Sequence, residues 1–217
     1  MTLSLRSLAV LVAVSCIALV ALLLMEQNMG AAAAKLIASS AFVALAIRAG
    51  ALRSNYGRII LLGLVFSWSG DAFLIGETQT LFLAGLGAFL LAHVAYIVAF
   101  VLLGISIKWA GIAALAIGAL AIAITVWLAP HIPSALVLPV RAYTTVISLM
   151  VIAAFGTRGR GASILIVAGA AMFFLSDLSV AALRLVQTDF PTYVWGLPLY
   201  YAGQVCLALS TSQSRSH

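Results

Sequence analysis

Long apolar runs alternate along this chain with short breaks where Gly, Pro, Asn and charged residues gather. The runs exceed the roughly 18 residues that mark a membrane-spanning helix. Taken from break to break, they predict spans near residues 5–25, 31–49, 58–76, 80–104, 109–129, 136–156, 162–186 and 193–211. The period-2 alternation of a β-barrel strand is absent. Helices are then the way to satisfy the backbone in lipid, where no water is available to bond it. The predicted fold is all-α: a polytopic membrane protein of about eight transmembrane helices. No connecting segment is long enough for a separate domain. Residues 1–211 are read as a single transmembrane helical domain and 212–217 as a short polar tail.

Composition sharpens this picture. Hydrophobic residues make up 65% of the chain and charged residues 7%, against about 25% charged in soluble domains. Arg6 before the first apolar run resembles the start of a signal peptide, but seven further spans follow, so an uncleaved first helix is expected. Cys16 and Cys206 lie in different apolar helices and read as inert buried thiols.

Charge then sets the orientation. The net charge is +6. In an eight-span arrangement Arg6, Arg48, Arg53, Arg58, Lys108, Arg158, Arg160 and Arg215 all fall on one side, and Glu26, Glu77 and Asp189 on the other. This positive-inside pattern places both termini in the cytoplasm, with the cytoplasmic membrane as the location in a bacterium. Topology and anionic lipid account for the basic face. No aromatic-rich nucleic-acid module is present, and nothing resembles a nucleotide-binding loop, so neither a nucleic-acid partner nor a cofactor is expected. The partner the composition demands is the bilayer itself; oligomeric state is not legible.

The polar residues inside the spans need a reason. Asp71 lies in FSWSGDAFL, about five residues from the end of its span, and Asp177 in FFLSDLSVAA, about nine from the end of its own. A carboxylate in a spanning helix costs a few kcal/mol even on lenient scales, and Asp is too short to snorkel. Each acid should face the bundle interior. There it either locks helices through hydrogen bonds or serves as a proton relay or substrate group. A shift of 106 residues superimposes Lys35 on Arg141, Gly63 on Gly169 and Asp71 on Asp177. The spacing fits a parallel 4+4 duplication, or a coincidence among few charged residues. Further polar residues share faces with the acids. Ser67 and Asp71 are i,i+4 neighbours, Ser176 precedes Asp177, and Arg184 follows it by seven. His93 and Tyr96 pair at i,i+3 in the fourth span, Tyr200 and Gln204 at i,i+4 in the eighth, and Tyr143 lies beside Arg141 in the sixth. Singly, a His or Tyr here is an ordinary helix-to-helix hydrogen bonder. Together, from six helices, they read as the lining of a cavity.

Metal and nucleophile chemistry fit less well. Zinc hydrolases use three or more ligands, usually several His, and only His93 is intramembrane. An Asp71, Asp177 and His93 set lacks a two-His spacing, so no metal is expected. No GxSxG segment is present, and Ser67 and Ser176 neighbour acids rather than bases.

Four segments in order, SWSGDAFL at 67–74, GAFLLAHVAYIVAF at 87–100, GAAMFFLSDLSVAA at 169–182 and LYYAGQ at 199–204, resemble the YhhN-type family of membrane lysoplasmalogenases. That family often has Lys-Pro in its second span, where this chain has Lys35-Leu36. The resemblance implies a hydrolase acting on the vinyl ether bond of a lysophospholipid, lysoplasmalogen. The products are a fatty aldehyde and glycerophosphocholine or glycerophosphoethanolamine. Vinyl ethers hydrolyse by protonation at the β-carbon to an oxocarbenium ion that water traps. This calls for a carboxylic acid to give the proton and a carboxylate to steady the cation and activate water. The resemblance thus assigns Asp71 and Asp177 as catalytic. Lys35, Arg141 and Arg184 become an anion clamp for the lipid phosphate, or cations snorkelling to the interface. Ser67, His93, Tyr96, Tyr143, Ser176, Tyr200 and Gln204 become the remaining substrate-binding wall. The chief rival is a proton-coupled carrier of small molecules or lipids using the same buried acids. Against it, Pro130, Pro133 and Pro191 fall in loops and Pro139 and Pro198 near span starts, leaving few broken helices. A non-catalytic scaffold or lipid sensor is the second rival.

Overall fold

A computed structural model describes residues 4–76, 78–186 and 188–212. Glu77, Arg215, His217 and residues 213–216 of the predicted tail lie outside the described residues. Among the described residues eight long helices run in order: α1 (Leu5–Leu24), α2 (Asn28–Ala49), α3 (Asn55–Phe73), α4 (Gln79–Leu102), α5 (Ile107–Leu128), α6 (Val137–Arg158), α7 (Ile164–Ala181) and α8 (Tyr193–Ser210). No strand occurs among the described residues.

Local chemistry sets the helix ends. Side-chain oxygens of Ser4, Ser54, Thr78 and Ser163 accept the free N–H groups at the starts of α1, α3, α4 and α7. Gly50, at φ 105°, ends α2 in the left-handed conformation that costs glycine least. The Ser54 cap begins α3 three residues earlier than the apolar run suggests, and the helix ends at Phe73 rather than near 76. Beyond α7 the chain widens into a π turn over Ala182–Val186.

Among the described residues six helices are long and apolar enough to cross a membrane: α1, α2, α4, α5 with its following turn, α6 with its preceding turn, and α7 with its π turn. Their exposed Val, Leu and Ile side chains, such as Val14, Ile112, Leu115, Ile122 and Leu149, form an outer surface suited to lipid rather than water. The chain is an integral membrane protein. The two remaining helices, α3 and α8, carry Ser67, Asp71, Tyr200 and Gln204. The residues that lower their hydropathy include enclosed ones, such as Asp71 and Gln204, and exposed ones, such as Arg58.

Each helix packs most extensively on its chain neighbour: α1 on α2, α3 on α4, α5 on α6 and α7 on α8. Further contacts join α4 to α6, α2 to α8, α2 to α3 and α6 to α7. Lipid is as apolar as the helix surfaces, so close approach rather than hydrophobic burial holds such pairs together. Gly169 and Gly203 show it. A Cβ on either would come 2.9 Å from the other's carbonyl oxygen, so the backbones of α7 and α8 touch. Phe42, Ile60, Leu64, Tyr96, Phe100, Met150, Phe173 and Tyr201 fill the centre.

Candidate active site

One end of the bundle gathers the C-termini of α1, α3, α5 and α7 with the N-termini of α2, α4, α6 and α8. A cavity of about 420 Å³ opens there. Its walls are mainly apolar, including Phe82, Leu86, Phe89, Ile124, Val140, Ile147 and Phe174. Asp71, Asp177, Lys35, Tyr143, Ser176, Arg184 and Tyr200 supply its principal polar and charged groups. Seven of the twelve sequence-assigned residues therefore meet around one space.

The two carboxylates are held separately. Asp71, only 3% exposed, accepts on Oδ2 a hydrogen bond from the Tyr200 hydroxyl at 2.8 Å and another from Ser39. Asp177, whose side chain keeps 17% of its exposure, accepts on Oδ2 from the Tyr143 hydroxyl at 2.7 Å. Among the described residues neither acid has a Lys or Arg nitrogen within 4.0 Å. The Phe173 ring lies between the two clusters, 5.3 Å from Tyr200 and 4.6 Å from His93.

Asp71 is nearer the helix end than its apolar run implies. It stands two residues before Phe73, about 3 Å of rise at 1.5 Å per residue, because the cap at Ser54 and the stop at Phe73 shift the whole helix. Arg184 does not continue the α-helical face of Asp177, since the π turn rotates the register between them. It still reaches the cavity mouth, with its guanidinium 5.4 Å from the centre of the Phe82 ring. Lys35 is half-buried on α2 and lines the cavity.

Arg141 is not part of this site. It is exposed and lines a separate groove between α5 and α6, with Thr125, Thr144, Thr145 and Ser148. Two residues turn a helix by about 200°, so when Tyr143 faces the cavity Arg141 faces away.

Ser67, His93, Tyr96 and Gln204 are fully buried and stand behind the cavity wall rather than on it. The Tyr96 hydroxyl donates to Gln204 Oε1 at 2.9 Å and lies 3.4 Å from Ser67 Oγ. Gly63 makes room for this cluster, since a Cβ there would enter the Tyr96 ring. His93 Nε2 lies 3.5 Å from Asp177 Oδ2 without making a hydrogen bond.

Ser39 is the residue the sequence reading missed. It sits four positions after Lys35 and so shares its helix face, a signal of the same kind as Ser67 before Asp71. Tyr201 was missed too; its hydroxyl reaches the Lys35 carbonyl at 3.4 Å. Among the described residues no three His, Cys, Asp or Glu side chains are grouped closely enough to hold a metal ion. The arrangement can exchange protons between two carboxyls and a bound molecule, with cations at the mouth and an apolar wall beneath.

A model of the YhhN family matches residues 30–211. The cattle protein (Bos taurus) named "Lysoplasmalogenase TMEM86A" is 33% identical over 165 residues, 72% of this chain and 66% of that protein. The human protein of the same name is similar to the same extent. The chain thus spans about two thirds of the length of these relatives. No solved structure matches it. Because the family model matches most of its length, the chain belongs to the YhhN family.

Proposed function

We propose that the chain hydrolyses the vinyl ether bond of lysoplasmalogen by proton exchange with Asp177 and Asp71. The observation that carries this reading is one mainly apolar cavity lined by two carboxyls from different helices, each held by a tyrosine hydroxyl. The lysoplasmalogenase names of the 33% identical relatives support the substrate class.

Asp177, the more open of the two, is the acid. Its carboxyl proton goes to the β-carbon of the vinyl ether, and the C=C electron pair forms the new C–H bond. The resulting oxocarbenium ion is met by water, whose oxygen bonds to carbon while its proton passes to Asp71. In the hemiacetal, the Asp71 proton then moves to the ether oxygen and the C–O bond breaks to release the glycerol-side alcohol. The hemiacetal hydroxyl gives its proton to Asp177 as the aldehyde forms. Both acids return to their starting states and one water is consumed. General acid catalysis is typically worth about 10²–10⁴-fold, and preorganised charge near the cation adds to it.

Lys35 and Arg184 bind the lipid phosphate at the mouth, with the alkenyl chain against Phe82, Leu86, Phe89 and Ile147. The same reading keeps the 4+4 duplication. Asp71 is met from α2 and α8, and Asp177 from α6 and α4, which are corresponding helices after a shift of four. It also keeps cytoplasmic termini, because Arg48, Arg53, Arg58, Lys108, Arg158 and Arg160 lie at the end of the bundle away from the cavity.

The test supplies the purified protein with lysoplasmalogen and an equal amount of the saturated ether lysolipid, and measures free aldehyde. Aldehyde from the vinyl ether alone is expected. No aldehyde from either, with substrate instead accumulating inside sealed proteoliposomes, would replace the hydrolase by a carrier.

A further inference from the structure

His93 is the anomaly of the bundle. It is fully buried on α4, yet among the described residues neither ring nitrogen has a protein hydrogen-bond partner. Buried polar groups are nearly always paired, and an unpaired one calls for a reason. In either neutral tautomer one ring nitrogen donates and the other accepts. A histidine kept only to tie helices together would use at least one.

The ring is held firmly. Phe173 packs against it at 4.6 Å and 56°, and the Tyr143 ring meets it edge-on at 5.2 Å and 84°. This clamp holds Nε2 3.5 Å from Asp177 Oδ2, the same oxygen that Tyr143 binds at 2.7 Å. Among the described residues nothing hydrogen-bonds Asp177 Oδ1, the oxygen left for a ligand. Among the described residues no other His, Lys or Arg nitrogen lies within 4.0 Å of this carboxyl.

We propose that His93 is a positioning residue for Asp177, closing its Nε2–H onto Oδ2 when the acid gives up its proton. The inference rests on the hydrolase reading above. Before reaction the contact, at 3.5 Å, makes no hydrogen bond to the carboxyl. As Asp177 becomes a carboxylate, a second donor beside Tyr143 stabilises the new charge. An interaction weak in the ground state and formed as charge develops acts on the rate rather than on substrate affinity. The imidazole keeps its own proton, and Oδ1 stays directed at the substrate.

The experiment compares His93→Phe and His93→Gln with the intact chain in detergent or liposomes. Phe keeps the packing against Phe173 and Tyr143 and removes both unpaired nitrogens. His93→Phe should hold or raise the Tm, leave KM unchanged and lower kcat about 10–100-fold, the scale of a slightly misplaced reacting group. His93→Gln, which restores an N–H, should recover part of that loss. Infrared difference spectra between acidic and alkaline pH give a readout independent of turnover. The carboxylate band that appears as Asp177 deprotonates, identified by its loss in Asp177→Asn, should shift in His93→Phe, while the Asp71 band stays. Wild-type kcat in His93→Phe, a Gln variant as slow as the Phe variant, or an unmoved Asp177 band would each overturn the role. Absence of aldehyde from the wild-type protein would instead sink the hydrolase reading, and the infrared comparison would still decide the His93–Asp177 contact.

Discussion

Replacing each aspartate by asparagine separates catalysis from architecture, because the two acids are bonded differently. Asn keeps one carbonyl oxygen and exchanges the other for an NH2 group that only donates. At Asp71, Oδ2 already receives Tyr200 and Ser39, so the Asn carbonyl must stay there. Its NH2 then faces the cavity edge from a residue only 3% exposed, and among the described residues no protein hydrogen bond reaches Oδ1. A buried donor left unpaired costs about 1–3 kcal/mol. At Asp177 the carbonyl can keep the Tyr143 bond while the NH2 faces the cavity, so the cost is less than about 1 kcal/mol. Asp177→Asn loses the carboxyl proton, and Asp71→Asn loses the carboxylate that receives one. Aldehyde release should fall about 10²–10⁴-fold in each, equivalent to about 3–5 kcal/mol in the barrier. The double variant should be little slower than either single one if the acids act as a unit. The assay pairs aldehyde release with Tm in the same detergent. Activity should be lost in both variants and Tm lowered clearly only in Asp71→Asn. Near wild-type turnover in either variant would remove that residue from the mechanism. Parallel falls in Tm and activity in both would favour helix-locking acids over catalytic ones.

Tyr200→Phe removes one of the two donors to Asp71 and should cost about 0.5–1.5 kcal/mol of stability with a measurable drop in turnover, read by melting and aldehyde release. Gly169→Val places a side chain against the Gly203 carbonyl, so thermal melting should fall and detergent-solubilised protein should lose its folded monodisperse form. A cysteine at Asn55, in a background lacking Cys16 and Cys206, should resist impermeant thiol reagents on intact cells; labelling there would reverse the orientation. Turnover should persist in EDTA, because among the described residues His93 is the one histidine near the acids. Loss restored by zinc would displace the two-carboxyl mechanism.

Segmentation and fold class were legible in the order of residues alone, because a helix in lipid must satisfy its own backbone and needs about twenty apolar residues to cross. Each predicted span has its helix to within a few residues, and the apolar surface of α5 follows directly from Ile112, Leu115 and Ile122. The two acids were conspicuous for the same reason, as costly groups in an apolar run. Partnership was not legible. Ser39 and Asp71 are 32 residues apart, Tyr96 and Gln204 are 108 apart, and Tyr200 and Asp71 are 129 apart. Periodicity states which residues share a helix face, but not which helix that face meets. That was decided by close backbone approaches such as Gly169 to Gly203, and by a ring such as Tyr96 finding space at Gly63. The same packing turned Arg141 away from the cavity while Tyr143 entered it. It placed His93, Tyr96 and Gln204 behind the wall and brought Ser39 to Asp71. Helix formation in the membrane is a local requirement carried by each segment. The site depends on how eight segments rotate against one another, and only the tertiary structure sets that rotation.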